Sequence, residues 1–116
     1  MRRELVLLAE MIEAAEQAQA LVAGVDLDEL ENDRQRRDAL LWNFTVLGEA
    51  AAQLDTAVKE RFAEVEWARP AQLRNRIVHG YWSIDLAVLQ TTATDQLPGF
   101  VEQLRRVLAE LDDSDA

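Results

Sequence analysis

The chain has 116 residues, a formal net charge of −10 and no cysteine, and its length suits one domain with a modest core. Without thiols it forms neither disulfides nor thiolate metal sites, and a cytoplasmic location is the default expectation. No apolar run approaches the ~20 residues that span a bilayer, and so acidic a chain should contact nucleic acid only locally, at one pocket.

The N-terminal part of the chain predicts two helices. Apolar residues recur at helical spacing over residues 4–22, opposite glutamates and glutamines, and Gly24 ends this helix as a C-terminal glycine. Asp26 then caps a short helix over residues 27–31, because Glu29 follows three residues later as in a capping box.

The middle of the chain predicts a long helix and then a short one. The long helix starts at Asn32 or Asp33. Its apolar stripe consists of Leu40, Phe44, Leu47, Ala51 and Leu54. Asp55 and Thr56 cap the short helix, which runs through about Phe62.

Two further helices are predicted in the C-terminal half. The first includes Pro70 in its first turn, where proline is tolerated, and should stop near Gly80. Asp85 caps the second, over residues 86–111, which Pro98-Gly99 should kink or split.

These elements predict a single all-α domain over residues 1–111, folded as a four- to five-helix antiparallel bundle. No repeat or linker divides it. Residues 112–116 are acidic and are expected to form a disordered tail.

The segment over residues 74–82 carries the chemistry. It holds the chain's only histidine, His79, its only tyrosine, Tyr81, and two arginines. Histidine exchanges protons near neutral pH, and the guanidinium of Arg74 suits phosphate. Asn75 can orient the imidazole or a phosphate oxygen. This combination indicates a site that handles a phosphodiester. A single histidine and no cysteine leave only a carboxylate metal site, and no acidic cluster suggests one.

The spacing of the arginine, asparagine, histidine and tyrosine in residues 74–81 resembles the signature of the HEPN superfamily, and within it that of the HepT-like ribonuclease toxins. Residues 38–51 resemble a second landmark of this branch, in which an asparagine precedes leucine, glycine, glutamate and alanine. Trp67 and residues 84–86 fit as well, so the similarity covers nearly the whole chain. Pro70 and Gln72 depart from the usual pattern upstream of the motif, which concerns how that helix begins.

The resemblance implies a metal-independent endoribonuclease that cleaves RNA by 2′-hydroxyl attack, with Arg74 and His79 as catalytic residues and no cofactor. Asn75 and Glu49 would support the site. It also implies a homodimer that is the toxin of a type VII-like toxin–antitoxin pair. The antitoxin would be a cognate minimal nucleotidyltransferase that adds AMP to Tyr81.

With one histidine in each chain, a dimeric site is the simplest way to supply both a general acid and a general base. One chain offers one histidine, whereas a two-fold axis supplies His79 and Arg74 twice at one cleft. Residues five apart on a helix point about 140° apart, so Arg74 and His79 flank a groove. Gly80 is expected to let the chain turn so that Tyr81 comes over the same cleft.

Simpler interpretations stay open at each site residue. His79 can be a favourable charge at a helix C-terminus, and Tyr81 a half-buried core aromatic. Glu49 is as readily solvated as it is a support for Arg74. At the level of function, the alternative is a non-catalytic nucleotide- or partner-binding subunit of a minimal nucleotidyltransferase.

Most basic residues near the motif and at the start of the long helix form two small clusters, and the chain has three tryptophans. One basic cluster, Arg69 with Arg74 and Arg76, surrounds the motif. The second consists of Arg34, Arg36 and Arg37. It is expected to be a solvated helix start rather than a contact for RNA or the antitoxin. Trp42, Trp67 and Trp82 are expected to be packing anchors. Trp82, which lies beside the motif, can instead stack a base.

Overall fold

Helices make up almost all of residues 2–115, which are the part of the chain that the computed structural model describes. In chain order they are α1 (Arg2–Val22), α2 (Leu27–Asn32), α3 (Arg34–Gln53), α4 (Thr56–Arg61), α5 (Ala68–Gly80), α6 (Leu86–Thr91) and α7 (Leu97–Asp115). A 3₁₀ turn (Tyr81–Ser83) follows α5, and a π-helical turn (Thr92–Gln96) joins α6 to α7. The prediction of an all-α fold is confirmed.

Four aspartates begin helices, as the sequence predicts. Each carboxylate accepts a hydrogen bond from a backbone N–H in the first turn of its helix, at 2.8 Å for Asp26, 3.1 Å for Asp33, 3.4 Å for Asp55 and 2.9 Å for Asp85. A cap of this kind contributes about 1 kcal/mol. Gly24 ends α1 with a φ of 71°, a conformation that favours glycine.

Helices α1 and α3 run antiparallel. At one end, Arg3 Nη2 donates to the Gln53 carbonyl at 2.8 Å, which joins the start of α1 to the end of α3. At the other end, Arg36 Nη1 donates to the Leu21 carbonyl at 2.7 Å. These bonds satisfy carbonyl groups at both helix C-termini.

The last helix also runs antiparallel to α1. Gln90 in α6 donates to the Val25 carbonyl at 2.7 Å, just beyond the end of α1. Further along, Arg105 in α7 pairs with Glu16 in the middle of α1 at 2.7 Å. Helix α7 therefore covers α1, while α5 packs against α3.

The core lies among α1, α3 and α7. Its largest fully buried side chains include Leu8, Met11, Leu40, Phe44, Leu47, Leu89, Leu104 and Leu111. The stripe that the sequence predicts for α3 is buried over its whole length, from Leu40 to Leu54. Burial of each such side chain stabilises the fold by roughly 1.5–3 kcal/mol.

A π turn interrupts the C-terminal helix just before Pro98, at the place where the sequence predicts a kink or a split. In this turn the Leu97 N–H donates to the Thr92 carbonyl five residues earlier. A π turn accommodates a residue that does not fit the regular ladder. Helix α7 then continues to Asp115, into the segment for which the sequence predicts disorder, where Arg61 Nη2 donates to Ser114 Oγ at 3.4 Å.

Candidate active site

Gly48 sets the distance between α3 and α5. A Cβ atom built on Gly48 overlaps both the Cβ of Arg74 and the carbonyl oxygen of Pro70. The two helices therefore approach so closely that only hydrogen fits between them at this point. The consequence is that the side chain of Arg74 begins directly against α3, beside Glu49.

Arg74 is held by two neighbours. Its Nη2 pairs with Glu49 Oε2 at 2.8 Å, and its Nη1 donates to Asn75 Oδ1 at 2.8 Å. Glu49 is itself oriented by Gln53, whose Nε2 donates to Oε1 at 3.0 Å. The Arg74 side chain is 31% exposed, and its buried Nε finds no hydrogen-bond partner in residues 2–115. Glu49 thus contacts Arg74 while its own side chain stays 47% exposed.

His79 lies in the last turn of α5, where the sequence places it. Its side chain is exposed. Ile77, two residues earlier, is buried, so the helical rotation of about 100° per residue directs His79 away from the core. Within residues 2–115 no hydrogen bond or ion pair joins His79 to Arg74, in agreement with their expected separation around the helix. A single chain thus brings Arg74, Asn75 and Glu49 together but leaves His79 apart from them.

Tyr81 and Trp82 extend from the end of α5 into solvent. They are 61% and 77% exposed, and their rings meet edge to face with centroids 5.4 Å apart. The interpretation of Tyr81 as a half-buried core aromatic is therefore wrong. The chain turns at Gly80 with a φ of −170°, a value open to any residue, so the special freedom expected of this glycine is not needed.

The three tryptophans divide into one anchor and two surface residues. Trp67 is 6% exposed and its Nε1 donates to the Phe62 carbonyl at 2.9 Å, so its packing role is confirmed. Trp42 is 66% exposed. The packing-anchor interpretation is wrong for Trp42 and Trp82, since helical spacing alone does not reveal which face a neighbour covers.

Trp42 borders an apolar hollow on the outer face of α1 and α3. The hollow has a volume of about 300 Å³ and its apolar lining includes Leu7, Val46 and Ala50. Glu49 lines the same hollow, which therefore adjoins the Arg74 ion pair. An exposed aromatic beside an apolar surface is typical of a protein interface.

The three arginines at the start of α3 contact acceptor groups that are close to them in sequence. Arg36 pairs with Asp33 at 3.4 Å, and Arg34 pairs with Asp38 at 3.5 Å. Arg37 Nη1 donates to the Glu31 carbonyl at 3.0 Å. These contacts agree with the interpretation of the cluster as a solvated helix start.

A second basic site was missed by sequence reasoning. Arg69 and Arg76 line a cleft between α5 and α7, on the side of α5 that faces away from Arg74, and Arg106 of α7 joins them. The sequence groups Arg69, Arg74 and Arg76 as one cluster, yet the structure separates Arg74 from the other two. The seven-residue spacing of Arg69 and Arg76, two helical turns, was the available signal.

Within residues 2–115, no three histidine, aspartate or glutamate side chains lie close enough together to hold a metal ion. None of the helices there combines the length and the apolar character that a bilayer crossing requires.

Comparisons with known proteins agree on one family. The model of the family described as "Ribonuclease HepT-like" matches residues 11–107. A Methanocaldococcus jannaschii protein named "Putative RNase MJ1380" is 25% identical over 100 residues, which cover 86% of this chain and 92% of the relative. A Thermococcus cleftensis protein named "Probable ribonuclease HepT" is 24% identical over 102 residues, or 85% and 93% of the two chains. No solved structure matches the chain significantly.

Proposed function

Because the chain belongs to the HepT-like ribonuclease family, we propose that it is the toxin of a type VII-like toxin–antitoxin pair and cleaves RNA without a metal ion. The observation that carries this proposal is the end of α5. There an arginine held by Glu49 and Asn75 precedes an exposed histidine that is directed into solvent. Both lie within the matched residues.

The proposed reaction uses the ribose of the substrate as nucleophile. The 2′-hydroxyl attacks the adjacent phosphorus, and the bond from phosphorus to the 5′-oxygen breaks. One neutral His79 accepts the proton of the 2′-hydroxyl, and a second, protonated His79 donates a proton to the departing 5′-oxygen. The products are a 2′,3′-cyclic phosphate and a 5′-hydroxyl.

Arg74 is suited to the charge that develops on the phosphate. Each of its Nη atoms carries two hydrogens, and the bonds to Glu49 and Asn75 use one on each. The remaining Nη hydrogens are available to phosphate oxygens. The Asn75 side chain, whose Oδ1 is taken by Arg74, has its amide hydrogens available as well. Glu49 is therefore proposed as a residue that positions Arg74 rather than one that contacts substrate.

A homodimer completes this site. Each chain has one histidine, and its His79 points about 140° away from Arg74 around the helix. The proposed contact surface consists of exposed apolar side chains of α3, of α5 and of the 3₁₀ turn that follows it: Trp42, Val78 and Trp82. Such an arrangement, with a two-fold axis near α5, brings His79 of one protomer to Arg74 of the other.

Tyr81 is proposed as the position at which a cognate nucleotidyltransferase antitoxin acts. Its hydroxyl is on an exposed side chain two residues beyond His79, within reach of a second enzyme. Transfer of AMP joins the phenol oxygen to the α-phosphorus of ATP and releases pyrophosphate. The added phosphate and adenine would then obstruct the access of RNA to His79.

Cleavage of single-stranded RNA in EDTA tests the catalytic proposal. Wild-type protein should produce cyclic-phosphate ends in the chelator, and His79→Ala should lose at least about 10⁴-fold in rate, since it removes both proton-transfer groups of a dimer. Its melting temperature should stay unchanged because the exposed side chain packs against little. Loss of cleavage in EDTA, or an active His79→Ala variant, would contradict the mechanism.

Expression in cells tests the toxin proposal separately. The wild-type chain should arrest growth, and co-expression of the cognate nucleotidyltransferase should relieve the arrest. A chain that leaves RNA intact and growth unaffected, yet binds the nucleotidyltransferase, would instead be the non-catalytic subunit.

A further inference from the structure

The bundle is open between α5 and α7. These two helices pack against α3 and α1 respectively, and the space between them is a cleft of about 790 Å³. Its apolar lining includes Leu47, Leu73, Leu97 and Phe100. A volume of this size is typical of a ligand site.

Three arginines line this cleft without a carboxylate partner. Arg69, Arg76 and Arg106 make no ion pair within the described part of the chain, whereas Arg74 and Arg105, their neighbours in sequence, are paired. Two glutamates, Glu66 and Glu102, also line the cleft, so the arginines outnumber the acids there. Unpaired guanidinium groups that line one cleft, in a chain of net charge −10, indicate a site for anionic groups.

The arginine row leads towards His79. Arg69 and Arg76 are seven residues apart and share one face of α5, with about 10.5 Å between them along the axis. His79 follows Arg76 by three residues, which places the two side chains on adjacent positions of the helix surface. Arg74 lies on the other side of α5, against Glu49.

We propose that the cleft between α5 and α7 binds a single-stranded segment of RNA and directs it to His79. Its phosphates contact Arg69, Arg76 and Arg106, and its bases pack on Phe100 and the neighbouring leucines. Unpaired bases of single-stranded RNA commonly stack on aromatic side chains while arginines bind the backbone. The destination at His79 rests on the proposed ribonuclease activity, but binding in the cleft does not.

The composition of the walls favours RNA over an acidic peptide. Gln72 on α5 and Gln103 on α7 also line the cleft, and their amides both donate and accept hydrogen bonds, as base edges require. The carboxylates of an acidic peptide match only the arginines, whereas every nucleotide also carries a flat base that can stack on Phe100. The guanidinium, amide and aromatic groups together match the phosphate, the base edge and the base face of a nucleotide.

A fluorescent oligouridine, with binding measured by anisotropy over a range of salt concentrations, tests the proposal. All variants carry His79→Ala so that the RNA stays intact. Replacing Arg69, Arg76 and Arg106 by glutamine should weaken binding roughly tenfold per arginine at low salt. The slope of log Kd against log salt should fall by about 2, since each single-strand phosphate contact contributes about 0.7.

A second triple variant is the matched control. Arg34→Gln, Arg61→Gln and Arg105→Gln change the net charge by the same amount at exposed positions outside the cleft, and binding should change less than threefold. Phe100→Leu should weaken binding several-fold and leave the salt slope unchanged, because stacking releases no counterions.

The outcomes separate this proposal from the proposed function. Equal losses of affinity in both triple variants would overturn the cleft proposal. So would polyglutamate that competes with the labelled RNA as strongly as unlabelled oligouridine does. If the chain with His79 intact cleaves RNA, and the cleft triple variant cleaves it like the control, the cleft proposal is wrong and the function stands. If that chain does not cleave RNA but the cleft variant alone loses binding, the cleft is supported and the catalytic proposal is overturned.

Discussion

Gly48→Ala should separate α3 from α5 and so move Arg74. The new Cβ overlaps the Pro70 carbonyl oxygen, a backbone atom that no side-chain rotation removes. Since nonbonded carbon atoms sit ~3.5 Å apart, α5 must shift on the order of 1 Å. Such overpacking costs about 3 kcal/mol at the upper end of its usual range.

Helix propensity opposes this cost and fixes the net size of the effect. Alanine is favoured over glycine inside a helix by about 1 kcal/mol, which leaves a net destabilisation of about 2 kcal/mol. For a chain of this length the melting temperature should fall by roughly 8 °C. A displacement of about 1 Å at a catalytic group lowers the rate of cleavage by about 100-fold.

Gly99→Ala is the matched control. Gly99 also lies in a helix, but a Cβ there meets no atom within 4 Å, so the propensity gain of about 0.5–1 kcal/mol is expected alone. Thermal denaturation of both variants at one protein concentration makes the comparison, and an RNA cleavage assay of Gly48→Ala against the wild type measures the effect on the site. If Gly48→Ala melts at or above the wild-type temperature, the close approach of α3 and α5 does not constrain the fold and the reasoning is refuted.

Three further predictions concern the site and its surface. Arg74→Lys should restore little of the activity lost in Arg74→Ala, because one ammonium nitrogen cannot occupy the separate positions from which the two Nη atoms reach Glu49 and Asn75; recovery of more than a tenth of the wild-type rate would contradict this. Tyr81→Phe should still cleave RNA but gain no AMP by intact-mass measurement after incubation with the nucleotidyltransferase and ATP; equal modification would exclude Tyr81. Trp42→Gln should shift the protein from dimer to monomer in light scattering, and an unchanged dimer would place the interface elsewhere.

The helices could be predicted from sequence because their signals are local. Aspartates before apolar runs, Gly24 after α1 and the stripe of α3 each depend on residues within a few turns, and all are present in the structure. The position of His79 in the last turn of α5 follows from the same signals.

The surroundings of the site depend on which helices pack against each other, and the spacing of residues in the sequence does not reveal that packing. The exposure of Trp42 could not be foreseen, because a neighbour could have covered its face of α3. For the same reason Arg74 and Arg76 looked equivalent in sequence, although one is held against Glu49 and the other lines the cleft. The resemblance named the motif residues, whereas the structure separated the anchored arginine from the unpaired ones.

The π turn before Pro98 explains why the buried residues around it are spaced more widely than a regular α-helix requires. The buried residues Leu89, Ala93, Leu97 and Val101 are four apart three times in succession, which on a regular α-helix would carry the apolar row about 120° around the axis. One additional residue in the wide turn Thr92–Gln96 absorbs about 100° of that drift, so the apolar row stays buried on both sides of the turn. A relative with a regular helix here should therefore align to this chain only with a one-residue gap, and an ungapped alignment would assign its cleft residues to the wrong positions from α7 onward.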